Sequence, residues 1–300
     1  MFAAFASALA SIALASVASA PNAGPGLFLP VPTEPMPLAA PAAEPTVLRA
    51  RRIEADLGAM DLVDAGPRSA VRLNLFADAD LTAVVDRVEA RGPLAYTWTG
   101  RVASGGHFVL SVEDDAVMGA AWLDDGRTFE VRSDAAGRLW STELRTHAFE
   151  PCATDAEHCV HARPEPTNER GGGCADSGET IDVLVAYTPA ARNAAGGTNA
   201  IRAMAASAVA SANTAYENSQ IGVRLRLMHT AEVGYQEGEN FSTDLSRLRN
   251  ATDGYMDEVH QLRQTYKADM VSLINDNTGA CGVAYLMTNL STGFASSAFS

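Results

Sequence analysis

The sequence has few cationic residues: 22 Lys and Arg stand against 36 Asp and Glu, which gives a net charge of −14 at pH 7. Binding to nucleic acid or to an anionic lipid surface requires clustered basic side chains. The longest basic cluster, Arg49, Arg51 and Arg52, is short and is typical of solvated surface or of a proteolytic processing point. The charge balance therefore predicts that neither nucleic acid nor membrane is a partner.

Long apolar runs are also scarce. Residues 2–20 are mostly Ala, Ser, Phe, Leu, Ile and Val, but the run is too weakly apolar and too often interrupted by Ser to favour a membrane span. It is typical of a secretory signal with a small-residue cleavage site at 16–18 or 18–20, although no Lys or Arg precedes it. We therefore predict a signal peptide at residues 1–20 and a secreted protein.

Four cysteines are few for a secreted protein of this size, so disulfides are expected to staple local regions and not to build the fold. Cys152 and Cys159 are spaced to close a small loop. Two histidines lie beside them, but the spacing matches no structural zinc pattern, and a disulfide is the favoured interpretation. The sequence does not decide how Cys174 and Cys281 pair.

Composition divides the rest of the chain into four segments. Residues 21–69 are predicted to be a linker rich in Pro and Ala, since proline fixes φ and removes a donor. Residues 70–150 carry short alternating runs separated by turn signals, which predict a small antiparallel meander. Within it, Asp80 is expected to cap a short helix with Leu81, Val84, Val85 and Val88 on one face. Residues 151–179 are predicted to be a second linker, and residues 180–300 form the last unit.

In that last unit strands alternate with helices. The apolar run Ile181–Tyr187 predicts a strand buried on both faces, and a helix follows from Thr198. Further strands are expected near Leu225, at Ala268–Ile274 and at Gly282–Met287. This order predicts a mixed α+β and α/β fold, in which a β-meander precedes a mostly parallel twisted sheet with helices.

Four segments in this order carry a resemblance to a known family. They read IDVLVAYTPAAR (Ile181–Arg192), GYMDEVH (Gly254–His260), ADMVSLI (Ala268–Ile274) and CGVAYLM (Cys281–Met287). Together they resemble the reprolysin-like metzincins, and within them a group of secreted endopeptidases. Upstream, VRLNLF, YTWTGR and FVLSV are similar to the propeptide region of such enzymes. The resemblance implies a zymogen that hydrolyses peptide bonds of protein or peptide substrates with zinc as cofactor.

The chemistry of that family requires a helix with H-E-x-x-H-x-x-G-x-x-H, which supplies the zinc ligands and a catalytic Glu. None of the six histidines begins this motif; they are His107, His147, His158, His161, His229 and His260. We therefore expect the sequence to stop before the catalytic helix, to contain no catalytic or metal-binding residue and to be inactive alone. The alternative is a secreted protease-like binding module without catalytic function.

The resemblance also implies two candidate sites. In the family, substrate adds by β-augmentation to the edge strand before the zinc helix, here through the backbone of Val283, Ala284, Tyr285 and Leu286. An edge strand that the other half of the domain simply covers is the competing interpretation. A prosegment thiol that holds the zinc and keeps the zymogen inactive is the second candidate, with three possible residues: Cys152, Cys159 and Cys174.

Overall fold

The computed structural model describes residues 26–31, 44–60, 68–149, 180–238, 240–277, 282–287 and 292–300. Within these residues the chain forms two sheets, which we call the N-terminal sheet and the parallel sheet. The strands of the N-terminal sheet are β1 (Phe28–Pro30), β2 (Val47–Ala55), β3 (Ala70–Phe76), β4 (Ala79–Gly92), β5 (Ala95–Val102), β6 (His107–Glu113), β7 (Ala116–Trp122), β8 (Thr128–Ser133) and β9 (Leu139–Leu144), with the short helix α1 (Leu57–Met60) after β2.

The N-terminal sheet is antiparallel and nearly closed. Its strand order is β1-β2-β9-β8-β7-β6-β5-β4-β3, and its two outer strands meet. Gly26 forms a bridge with Arg72, and the N–H of Phe28 donates to Oδ1 of Asn74 at 2.9 Å. The enclosed core contains large side chains that are almost wholly buried, among them Tyr96, Trp98, Phe108 and Phe129.

The predicted fold class is wrong. In the described residues the larger sheet has nine strands and only antiparallel neighbours, whereas the parallel sheet has three strands. Over these residues the chain is therefore mostly antiparallel β, and they do not form a mostly parallel twisted sheet with helices. The reason is that the N-terminal region forms more and longer strands than the pattern predicted, and short turns pair them locally.

The helix expected after Asp80 is also wrong, because this segment is the 14-residue strand β4. Leu81, Ala83 and Val85 are buried at alternate positions on the inner face of the N-terminal sheet. The same apolar residues fit a helical period and a period of two. Pairing with both β3 and β5 selects the strand.

Part of the segment predicted as a linker is strand β2. Arg49, in the basic cluster interpreted as solvated surface or a processing point, donates from Nε to Glu143 at 2.6 Å and bonds Asp78 with both Nη atoms. Arg51 donates to the carbonyl of Asn74 at 2.6 Å. These acceptors lie on or next to strands of the same sheet. They offset the positive charges of the β2 arginines, so that β2 can pair with β1 and β9.

The parallel sheet lies in the C-terminal part. Its elements are β10 (Thr180–Tyr187), α2 (Pro189–Ala195), α3 (Thr198–Asn218), β11 (Arg224–Glu232), α4 (Phe241–Arg249), α5 (Glu258–Tyr266) and β12 (Met270–Ile274), and the strand order is β11-β10-β12. The central strand β10 is buried on both faces, as its β-branched run predicted. Thr188 caps α2 through the N–H of Ala191, and Gly196 ends it at φ 95°, a conformation that favours glycine.

Helix α3 lies between the two sheets. Ala205 packs with Val183 and Val185 of the parallel sheet. On another face, Asn199 donates to Asp115 at 2.8 Å and Glu217 binds Arg87 at 2.5 Å, so both ends of this face contact the N-terminal sheet. Helical spacing places Ala203, Ala206 and Ala210, all buried, between these two contacts. Their small side chains allow α3 to lie close to strands β5, β6 and β7.

None of the helices in the described part of the chain combines the length and the apolar character that crossing a membrane requires.

Candidate substrate-binding edge

A cleft of about 600 Å³ lies beside β12, the outer strand of the parallel sheet. Helix α4 forms one wall through Phe241, Leu245 and Leu248. The other wall is the segment 282–284, and Ser300 lies at its margin. Two of the four residues predicted to bind substrate, Val283 and Ala284, therefore line the cleft.

Residues 298–300 bond to the outer edge of β12. The N–H of Val271 donates to the carbonyl of Ala298 at 3.1 Å, and the N–H of Leu273 donates to Ser300 at 2.7 Å. The N–H of Ser300 in turn donates to the carbonyl of Val271 at 3.0 Å. These three bonds extend the sheet by one short parallel segment, so the edge of β12 itself is not free.

The segment 282–287 lies next to residues 298–300. Residues 282–287 do not form the strand expected there. Within this segment only the N–H of Tyr285 bonds to the sheet extension, at 3.5 Å from the carbonyl of Phe299. Val283 and Tyr285 are half-buried against the core, whereas Ala284 and Leu286 are exposed, Leu286 by 82%. This alternation is typical of extended backbone.

The predicted substrate-binding residues thus fall into two pairs. Because Tyr285 directs its N–H toward the sheet, the N–H groups of Ala284 and Leu286 are expected on the opposite side of the extended segment. Among the described residues neither has a backbone hydrogen-bond partner. Val283 and Tyr285 anchor the segment, and Arg249 lies over the Tyr285 ring at 4.9 Å. In the part of the chain that the structure describes, nothing pairs with that side of the segment's backbone.

A buried carboxylate fixes the floor of the cleft, and the sequence analysis missed it. Asp244, 1% exposed, accepts at Oδ1 from the hydroxyl of Tyr235 at 2.6 Å and from the N–H of Gly238 at 2.7 Å. Its Oδ2 accepts from the side-chain amides of Asn275 at 2.9 Å and Asn277 at 3.1 Å. Asp244 lies in the first turn of α4, so the only available signal was an acidic residue at a helix start.

A second carboxylate, Glu237, lies in the loop between β11 and α4. It accepts hydrogen bonds from the hydroxyl of Thr188 and, at 2.8 Å, from the N–H of Asp276. Burial and the nearby charge of Glu237 raise the pKa of the Asp276 carboxyl. Burial and the bond to Asp244 raise the pKa of the Tyr235 hydroxyl. These contacts join the ends of β10, β11 and β12, and they fix the position of the cleft.

Among the described residues, the predicted histidines His229 and His260 do not line the cleft. Cys152, Cys159 and Cys174 lie outside the described residues, as does Cys281. His229 stacks on Tyr266 with ring centroids 3.9 Å apart. His260 places Nε2 3.1 Å from the carbonyl of Leu248. Both histidines have structural partners.

The described residues do not fit a catalytic metal. Among them no group of three His, Cys, Asp or Glu side chains is arranged to hold an ion. The full sequence also contains no H-E-x-x-H. We therefore derive no chemical step through a metal from these residues.

Comparison with protein families identifies the C-terminal part. Residues 202–299 match the family described as Metallo-peptidase family M12B Reprolysin-like. The chain is similar to the peptidyl-Asp metalloendopeptidase of Stenotrophomonas maltophilia strain K279a, with 34% identity over 206 residues. The chain belongs to the reprolysin-like metallopeptidases. This confirms the family resemblance stated from the sequence.

Two further relatives carry the same name. The reprolysin-like chain is 42% identical over 136 residues to the protein of S. maltophilia strain R551-3 and 42% identical over 118 residues to that of Xanthomonas campestris. The matches cover 67%, 44% and 39% of this chain and 48%, 32% and 28% of the K279a, R551-3 and X. campestris proteins. The reprolysin-like chain thus spans about half or less of the length of these curated relatives.

Among solved structures, a chain from "Structure of a chaperone-substrate complex" aligns with 64% of this chain and 26% of its own length. The TM-score is 0.33 and the identity 17%, which does not establish a shared fold.

Proposed function

We propose that this chain is part of a secreted zinc-dependent metalloendopeptidase, made as a zymogen, and that it supplies the backbone edge on which a protein or peptide substrate lies. The observation that carries the proposal is the match of residues 202–299 to reprolysin-like metallopeptidases. The names of the peptidyl-Asp metalloendopeptidase relatives support peptide hydrolysis. The signal-like residues 2–20 support export. The N-terminal sheet, which precedes the matched residues, takes the role of the propeptide.

The proposed substrate edge is the open side of residues 283–286. An extended peptide adds to such an edge through main-chain hydrogen bonds, so the free N–H groups of Ala284 and Leu286 are the expected donors. The zinc ligands and the catalytic Glu are proposed to be supplied from outside these 300 residues, since the motif that holds them is absent.

A proline substitution tests the edge. Leu286→Pro removes one N–H donor from the open side, while Leu286→Ala keeps the donor and removes only an exposed side chain. We expect Leu286→Pro to weaken the binding of a dye-labelled unstructured peptide, measured by fluorescence anisotropy, by roughly fivefold or more, because one hydrogen bond is lost. Leu286→Ala is expected to bind like the unchanged chain. Equal affinity of the two variants would contradict the proposed edge.

A further inference from the structure

A second cavity, of about 450 Å³, lies between the N-terminal sheet, α3 and β11, away from the proposed substrate edge. Arg91 and Glu113 of the N-terminal sheet line one side, and Arg202 of α3 lines another. Residues 227–230 of β11, including His229, complete it. Its volume is in the range of sites for small molecules.

The charges in this cavity do not cancel. Arg91 donates to the hydroxyl of Thr97 at 2.8 Å and to Glu113 at 3.2 Å, so the carboxylate already has a cation. Arg202 lacks such a partner: within the described residues its Nε is buried and has no hydrogen-bond acceptor. An unmatched buried donor on a charged group is costly, and an anionic acceptor in the cavity removes that cost. The cavity therefore holds one uncompensated positive charge in a protein of net charge −14.

His229 is fixed beside this charge. Its ring is stacked on Tyr266 with 10° between the planes, which sets its orientation in the cavity wall. Burial and the positive charge of Arg202 lower the pKa of His229, so near neutral pH the ring is uncharged and acts as a hydrogen-bonding group. Thr230, which carries a hydroxyl, lies on the same wall.

We propose that this cavity binds a small ligand through an anionic group, either a carboxylate or a phosphate. Arg202 pairs with the anionic oxygens through its planar guanidinium, and His229 and Thr230 are within the same wall to bond the rest of the group. Because the cavity is lined by Arg91 and Glu113 of the N-terminal sheet and by His229 of the parallel sheet, the bound ligand lies between the two sheets.

Calorimetric titration of the 300-residue chain with sodium phosphate and with sodium citrate, against sodium chloride at equal ionic strength, tests the proposal. We expect saturable binding of at least one of the two, and a rise in the unfolding midpoint that follows its concentration. Tighter binding of citrate identifies a carboxylate ligand, and tighter binding of phosphate identifies a phosphate ligand.

Arg202→Gln is expected to weaken that binding at least about tenfold, because charge-assisted bonds are lost. Arg101→Gln is the matched control, since Arg101 is 75% exposed, pairs with Asp86 and does not line the cavity. If Arg202→Gln does not fold, the ring resonances of His229 in the unchanged chain report on the same site and are expected to shift with the titrated anion. Absence of saturable binding, an unchanged affinity in folded Arg202→Gln, or unshifted His229 resonances would overturn the proposal.

Discussion

At the scale of single residues, Asp244 is the hydrogen-bond acceptor that holds the floor of the cleft in place. Its two oxygens accept four hydrogen bonds, from the loop after β11 and from the segment after β12. One buried side chain of α4 therefore ties the loop after β11 to the segment after β12. Sequence patterns did not identify it, because an acid in the first turn of a helix is usually a surface residue that stabilises the helix dipole.

Asp244→Asn tests this role. Asn has nearly the same shape as Asp, but its NH2 group cannot accept a hydrogen bond from the donors that face one of the carboxylate oxygens. We therefore expect the free energy of unfolding to fall by about 3 kcal/mol. Chemical denaturation measures the change. Asp114→Asn is the control: Asp114 is exposed with φ 52°, a conformation that Asn tolerates, and a change within about 0.5 kcal/mol is expected. A similar loss in both variants would argue against the network.

The pair of Asp182 and Arg226 makes stability depend on pH. Two hydrogen bonds of 2.7 Å from Arg226, opposed by burial, hold the pKa of Asp182 below its ordinary value of 3.8. A lowered folded pKa contributes stability that is present above 3.8 and is lost as pH falls through the folded pKa. Arg226→Gln is therefore expected to raise the pKa of Asp182 and to destabilise the protein at pH 7 but not in strong acid.

NMR titration of the Asp182 carboxyl and unfolding curves at several pH values measure both effects. Arg249→Gln is the control, because Arg249 donates to the carbonyl of Ser296 at 3.1 Å and not to a carboxylate. Its effect on stability is expected to be independent of pH over the same range. A pH-independent effect of Arg226→Gln would contradict the assignment.

At the scale of elements, α3 shows how small residues determine packing. Its buried positions surround much of the helix, which is typical of a helix covered on more than one side. One side covers β10 and β11, and the side that carries Ala203, Ala206 and Ala210 covers the N-terminal sheet. Close approach leaves no room for a larger side chain at these alanines.

Ala210→Leu is expected to destabilise the protein by about 1–3 kcal/mol, because added atoms force the helix away from the sheet. Ala208→Leu makes the same chemical change at an exposed position of α3 and is expected to alter stability by less than about 0.5 kcal/mol. Equilibrium unfolding in denaturant compares the two. Equal small effects would show that α3 does not pack tightly on the N-terminal sheet.

The elements also show what the sequence could predict. The strands at 180–187 and 270–274 agree with the pattern, because long buried runs are local signals. Helix α3 also begins at Thr198 as expected, although its N-cap is Gly197 and makes no side-chain capping bond. Strand β2 was missed because its arginines obtain acidic partners only in the folded sheet. Strand β4 was missed because its apolar spacing fits two periods, and only pairing with neighbours decides between them.

At the scale of the whole molecule, the two sheets form one assembly through α3 and through ion pairs at its margin. Arg224 binds Glu89 of the N-terminal sheet and, at 3.0 Å, Glu217 of α3, which also binds Arg87. The part that matches reprolysin-like metallopeptidases therefore contacts an antiparallel unit that lies before it in the chain. This arrangement agrees with the proposal of a zymogen.

The central claim is that these 300 residues supply the proposed substrate edge of a metalloendopeptidase but not its zinc centre. The most direct test incubates the purified chain with zinc, removes unbound metal and measures bound zinc together with peptide hydrolysis, with and without a chelator. The account predicts no stoichiometric zinc and no chelator-sensitive hydrolysis, since the sequence has no H-E-x-x-H and the described residues form no metal-binding cluster. One retained zinc per chain with hydrolysis that the chelator abolishes would contradict it.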